Sequence, residues 1–174
     1  MNTDNIDSEG YRENVGIIIS NNEGKLFLAG RIGNNSWQFP QGGILKSESP
    51  TQAMYRELYE EIGLEKKDVK ILAQTECWLR YKIPKKYLRR STPLCIGQKQ
   101  KWFMLKFLSH NGCIRLDKSK NPEFDRWRWV NFWDPINEVI YFKKKVYKKA
   151  LIKLGPYIYP DGIPNKSIEK FDNR

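Results

Sequence analysis

Apolar residues recur along this chain in short runs set apart by polar turns, and in two places the runs give way to a four-residue period. Val15–Ser20 and Lys25–Arg31 read as strands joined across Asn21-Asn22-Glu23-Gly24, a hairpin pattern. Ser36–Phe39 reads as a short strand entering a Gly-Gly loop. Val69–Ile83 and Lys99–Leu108 are strand-like runs rich in aromatic and aliphatic residues. Arg126–Phe132 alternates charged and aromatic residues, as a half-buried strand does. Met54, Leu58 and Ile62 repeat every four residues, the buried stripe of a helix. Its ends are marked by Ser49 as N-cap, Pro50 at the first turn, Gln52 as capping-box partner and Gly63 as the terminating residue. Phe142–Leu154 reads as a closing amphipathic helix, with Val146, Ala150 and Leu154 towards the core. Between strands, residues 84–97 carry Lys85, Lys86, Arg89 and Arg90 and read as a basic loop. The expected organisation is a flexible N-terminus (1–9), one domain (10–155) and a poorly ordered, proline-bearing tail (156–174). The class is α/β.

Composition narrows the chemistry. At 174 residues, with 40% hydrophobic and 13% aromatic content, one globular domain has enough chain for a core. No apolar run approaches a membrane span, and the polar start is no signal peptide, so a cytoplasmic protein is expected. Cys77, Cys95 and Cys113 are odd in number and lack metal-type spacing, and are expected as reduced thiols. His110 is the single histidine, too few for a His-rich metal site, and histidine is not expected to carry the chemistry. Acid–base work therefore falls to carboxylates, lysines, tyrosines and metal-bound water. The formal charge of +11 favours polyanionic partners such as RNA, although a general richness in lysine explains it equally well. The excess gathers late, at Lys143, Lys144, Lys145, Lys148, Lys149 and Lys153.

The sharpest local signal is acidic. Glu57, Glu60 and Glu61 stand at i, i+3, i+4 on the first helix, a spacing that places them on one face. Three carboxylates there repel one another unless a cation lies among them. Oxygen-only ligands suit a hard ion, Mg²⁺ or Mn²⁺, which usually binds carboxylates together with substrate phosphates. A solvated acidic face paired with lysines is the alternative reading of the same spacing.

Gly42, five residues, Glu48, seven residues, then Arg56-Glu57-Leu58-Tyr59-Glu60-Glu61-Ile62-Gly63-Leu64 resembles the Nudix box in all nine of its defined positions over 23 residues. Beyond the box, Tyr11-Arg12, Trp37-Gln38-Phe39-Pro40-Gln41-Gly42-Gly43, Trp78-Leu79-Arg80-Tyr81, Cys95–Phe103, Glu123-Phe124-Asp125 and Trp127-Arg128-Trp129-Val130 are similar to the branch of the Nudix hydrolases that acts on RNA 5′ ends and dinucleoside polyphosphates. The likeness runs over about residues 10–150 and departs at Glu13, Ser47 and Arg126, where a proline and two glycines are expected. It implies an α/β/α sandwich around a mixed sheet.

The resemblance further implies that Glu57, Glu60 and Glu61 bind divalent ions, with Gly42 as a weak backbone ligand and Glu57 also activating water. Glu48 and Arg56 are implied as a structural pair, with Gly43 and Gly63 as structural glycines. Glu123 is implied as a further ligand or as the residue that positions water. Arg12 and Arg31 are implied at the RNA 5′ end, Phe142 as a base-stacking ring beside Ile140, and Lys143 as a phosphate ligand, with Ser36 and Tyr81 as weaker phosphate partners. The implied activity is metal-assisted hydrolysis of a 5′-triphosphate or diphosphate RNA end to a monophosphate, which promotes RNA decay. A dinucleoside polyphosphate hydrolase and a non-catalytic RNA-binding module are the alternatives. A monomer is expected, and a regulatory protein partner is left open.

Overall fold

A parallel pair of long strands organises the molecule. In the computed structural model, which describes residues 5–90 and 93–165, β1 (Tyr11–Ser20) runs beside β7 (Gly97–Phe107) from Tyr11↔Gly97 to Ser20↔Lys106. Parallel neighbours need a long crossover, and everything between them in sequence supplies it. The outer edge of β1 is shared by β4 (Gln41–Gly43) at its start and β2 (Leu26–Arg31) at its end. The outer edge of β7 is shared likewise, by β6 (Leu79–Lys82) and then β5 (Val69–Gln74). β3 (Trp37–Gln38) and β8 (Phe124–Val130) flank β2.

Alternation along the central strands builds two cores. Val15, Ile17, Ile19, Phe103 and Leu105 face one side and bury Ala53, Met54, Leu58 and Ile62 of the first helix. Ile18, Trp102 and Met104 face the other, against Val146, Tyr147, Ala150, Leu151 and Leu154 of the last. The Trp102 ring lies across Gly16, where a side chain would meet it. Helices thus cover both faces of a mixed sheet, as expected. α1 (Pro50–Glu57) continues as a widened, π-type turn over Leu58–Ile62. α2 (Asp134–Glu138) and α3 (Lys144–Leu154) lie on the opposite face.

Several boundaries differ from the sequence reading. Val69–Ile83 is two strands: the Thr75 amide still donates to the Trp102 carbonyl and its Oγ1 accepts the Trp102 amide, after which the pairing with β7 slips by two residues between Gln74↔Phe103 and Leu79↔Gln100. β8 starts two residues earlier than expected, and the last helix opens with a tight turn, Tyr141–Lys143. β4 and α2 are too short to show as periodicity. Residues 5–9, expected within a flexible N-terminus, lie on the sheet: Asp7 accepts the Glu9 and Tyr11 amides and pairs with Lys99 at 2.9 Å. Residues 156–165, expected within a poorly ordered tail, fold back. Tyr159 donates to the Gly24 carbonyl at 2.7 Å, and Trp133 donates to that of Pro164 at 2.6 Å. Residues 166–174 of the tail lie outside the described residues. All three cysteines are free, and no described helix is long and apolar enough to cross a membrane.

Candidate active site

The first helix is anchored at both ends before it presents its acids. Ser49 Oγ accepts the Gln52 amide at 3.1 Å while the Ser49 amide donates to Gln52 Oε1 at 2.9 Å. Gly63 ends the helix with φ 77°, a conformation glycine adopts without strain. Between them the acids sit less uniformly than a regular helix predicts. The π-type turn, a distortion common at functional sites, alters the spacing after Glu57. Glu61 points inward and is 7% exposed, whereas the Glu60 side chain remains 45% exposed.

Arg56 ties this helix to the loop before it. Its Nε and Nη2 donate to the two Glu48 oxygens at 2.5 and 3.0 Å, and Nη2 also donates to the Gly43 carbonyl at 2.8 Å. Nη1 reaches Glu57 at 2.8 Å and Glu60 at 3.4 Å. Glu48 further accepts the Leu45 amide, closing the loop. The Arg56 fork holds the Glu48 carboxyl below its ordinary range. Ser47 in this loop has no positive φ, so the absence of glycine there costs nothing in backbone strain. Glu13, the second departure, donates its amide to the Asn5 carbonyl at 2.7 Å, a bond proline cannot make.

Glu57 lies against Gly42, where any side chain would run into its carboxyl. Glu61 Oε2 accepts the amide of Glu123 at 3.4 Å, joining the helix to the segment that leads into β8. Burial pushes the carboxyls of Glu57 and Glu61 up to about 7; repulsion from Glu60 and Glu123 at the first, and from Glu123 and Glu57 at the second, adds to it. Among the described residues, no three acidic, histidine or cysteine side chains converge closely enough to enclose an ion as they stand. The donor set nonetheless fits a divalent cation. Glu57, Glu60, Glu61 and Glu123 offer only oxygen, and a cation relieves the repulsion that raises the buried pair.

A second cluster faces the acids where β4 and β6 flank the central pair. Lys143 is 6% exposed and donates to Gln41 Oε1 at 3.2 Å. Gln41 Nε2 donates in turn to the Tyr81 hydroxyl at 3.2 Å and to Gln98 Oε1 at 3.0 Å, and Tyr81 donates to Gln98 at 2.9 Å. Burial and the charge of Arg31 lower the Lys143 ammonium to about 8, against an opposing pull from Glu123. Burial raises the Tyr81 phenol, partly offset by Gln41 and by Arg12 and Arg31. Lys143, Glu57 and Arg12 meet the consecutive residues Gln41, Gly42 and Gly43 in turn, and Tyr81 joins them through Gln41. The other late lysines, on α3, are exposed, so Lys143 alone among them turns inward.

Arg12 lies against Gly43 as Glu57 lies against Gly42, so the two glycines admit one cationic and one anionic side chain to the same loop. Phe142 stands at the rim, 6.0 Å between ring centroids from Tyr81, with half-buried Ile140 beside it in the α3-side core. Ser36 is half-buried, and its carbonyl accepts the Arg31 amide at 3.0 Å. Three residues escaped the sequence reading. Gln41 and Gln98 stand in the polar stretches Gln41-Gly42-Gly43 and Gln98-Lys99-Gln100-Lys101, where no local signal singles them out. Arg126, noted only as a departure, is the cross-strand partner of Gly30 and lies over it. It donates to the carbonyls of Arg31 at 3.2 Å and Asn34 at 2.7 Å, with its guanidinium over Trp37. It thereby staples the turn that bears Arg31 and Ser36.

A NUDIX domain model matches residues 10–150. The chain is 52% identical over 162 residues to the RNA pyrophosphohydrolase of Alkalilimnicola ehrlichii, covering 92% of this chain and 90% of that protein. It is 55% identical over 156 residues to the RNA pyrophosphohydrolase of Proteus mirabilis, covering 89% of each. Among solved structures, the E. coli dihydroneopterin triphosphate pyrophosphohydrolase superposes with a TM-score of 0.64 at 15% identity, covering 81% of this chain and 95% of that one. A C. elegans Ap4A hydrolase does so at 0.57 with 19% identity, covering 82% and 97%. Identities this low speak to the fold alone.

Proposed function

The chain belongs to the NUDIX domain family, and on that footing we propose that it works as an RNA pyrophosphohydrolase, cutting a phosphoanhydride bond at a 5′-triphosphate or diphosphate RNA end. The observation that carries this reading is the meeting of two charged halves across one space. Glu57 lies against Gly42, with Glu61 bonded to the Glu123 amide beyond it, while Lys143 and Arg12 lie against the flanking residues Gln41 and Gly43. Relatives more than half identical over most of the chain carry that activity in their names.

Nudix hydrolases use divalent ions. Here we assign Mg²⁺, replaceable by Mn²⁺, to Glu57, Glu60, Glu61 and Glu123, with the Gly42 carbonyl as a weak further ligand. The ion supplies charge neutralisation of the phosphate oxygens and a lowered pKa for water. The chain's own residues do the rest. Lys143, kept in place by Gln41, and the forks of Arg31 and Arg12 grip the phosphate chain. Glu57, with Oε1 held by Arg56, presents Oε2 to take the proton of the attacking water. Water adds to phosphorus, the P–O–P bridge opens, and pyrophosphate or phosphate leaves 5′-monophosphate RNA. Phe142 and Ile140 receive a base, while Ser36 and Tyr81 offer hydroxyls to phosphate. The monophosphate end promotes RNA decay.

The test uses triphosphorylated RNA labelled at its α- and γ-phosphates, with diadenosine tetraphosphate alongside. Release of monophosphate RNA with Mg²⁺, faster than dinucleotide cleavage and lost in Glu57→Gln, is expected. Cleavage of the dinucleotide alone would move the substrate to dinucleoside polyphosphates and leave the metal site standing.

A further inference from the structure

Resting on that reading, we infer that Tyr87 and Tyr141, with Lys86 between them, form a second stacking platform that carries the RNA chain outward from the site, beyond the nucleotide received at Phe142. Three consecutive residues step from the pocket to the surface. Lys143 is 6% exposed and contacts Gln41, Phe142 is half-buried, and Tyr141 is 55% exposed. Phe142 meets both neighbours, with ring centroids 5.4 Å from Tyr87 and 5.5 Å from Tyr141. Lys86 Nζ lies 5.1 Å from the centre of the Tyr87 ring and 5.7 Å from that of Tyr141. Two large aromatic rings left open to solvent beside a cation are what a sequence-tolerant nucleotide site requires. Bases stack on the rings, and the phosphates between them meet the positive charge.

The surroundings suit a polyanion and little else. Tyr87 closes the tight turn Lys85–Tyr87, and Lys85, Arg89 and Arg90 around it are all exposed. On the other flank, Lys144 and Lys145 open α3, also exposed. No aspartate or glutamate occurs from Cys77 to Leu116, or from Val139 to Pro160, so neither segment neutralises itself. A surface helix that merely keeps a protein in solution mixes both signs. Here, two acid-free segments from distant parts of the chain meet at the mouth of the site and share one aromatic cluster. A free dinucleotide has no chain to lay across it; a single strand of several nucleotides does.

The experiment compares 5′-triphosphorylated single-stranded RNAs of two and eight nucleotides. The wild-type protein should show a KM roughly tenfold lower for the longer RNA, the gain from one or two stacked bases. The Tyr87→Ala/Tyr141→Ala protein should lose that preference and still hydrolyse the dinucleotide RNA at the wild-type rate. Tyr87→Phe/Tyr141→Phe keeps the rings and should retain the preference. Binding of a fluorescent eight-nucleotide monophosphate RNA, followed by anisotropy, reads the platform without hydrolysis. Affinity equal in the wild-type and double-alanine proteins would overturn the inference, as would equal wild-type KM for both lengths. Failure of the wild-type protein to hydrolyse either RNA strikes the RNA-end reading instead, and anisotropy then judges the platform by itself.

Discussion

Replacing Arg56 with methionine keeps the bulk of the side chain and removes the fork that joins α1 to its preceding loop. Five hydrogen bonds go with it, to Glu48 twice, to Glu57, to Glu60 and to the Gly43 carbonyl. The Arg56 and Glu48 side chains are only 26% and 15% exposed, so Glu48 is left mostly out of water without its partner. Removing one partner of a buried pair costs about 3–5 kcal/mol. Residual solvent access at both groups argues for the lower end, about 3 kcal/mol. An unfolding entropy of about 2.1 cal/mol/K per residue, over 174 residues, converts this to a fall in Tm of about 8 °C. The loss also depends on pH. Arg56 holds Glu48 below its ordinary value of 4.5 in the folded protein, so the pair's contribution is complete above that value. It disappears as pH falls through the folded value, where Glu48 takes up a proton. The gap in Tm between wild type and variant should therefore be full at pH 7 and narrow below pH about 4.5. Calorimetry of a double-mutant cycle with Glu48→Gln isolates the pair. A coupling below about 0.5 kcal/mol, or a gap unchanged at low pH, would refute the reasoning.

Glu57 and Glu61 give the opposite pH dependence. Both are raised from 4.5 to about 7 in the metal-free protein, so they erode stability as pH climbs between those values. A divalent ion held by this pair, as proposed, needs both ionised, so the rise in Tm on adding Mg²⁺ should be larger at pH 8 than at pH 6; equal rises would contradict this. Gly42→Ala drives a methyl group into the Glu57 carboxyl, and kcat should fall on the order of 100-fold while circular dichroism stays native. Arg126→Gly frees the turn bearing Arg31 and Ser36, so KM for RNA should rise roughly fivefold with kcat little changed; a fall in kcat alone would count against a positioning role.

Local rules account for what could be read from the chain by itself. The capping box, the proline at the first turn and the terminating glycine each act within a few residues, so the first helix was legible nearly to its ends. Alternation located most strands, helical spacing marked the acids, and the resemblance to the Nudix box implied the Glu48–Arg56 partnership. Tertiary structure decided what depends on residues far apart. The Val69–Ile83 run divides because its pairing with β7 slips by two residues between Gln74↔Phe103 and Leu79↔Gln100, a change of register invisible to periodicity. Glu61 faces inward and Glu60 outward because the helix widens where it meets the segment leading into β8, and no local pattern records that encounter. Lys143 resembles its neighbouring lysines in sequence. It is singled out only because its turn delivers it, buried, to a glutamine 102 residues away. Sequence alone put three acids on one helix face, because spacing is a local property, and its resemblance to the Nudix hydrolases nominated the candidate metal and phosphate ligands. Folding across long separations decided which of them share one space, and which charges are desolvated there.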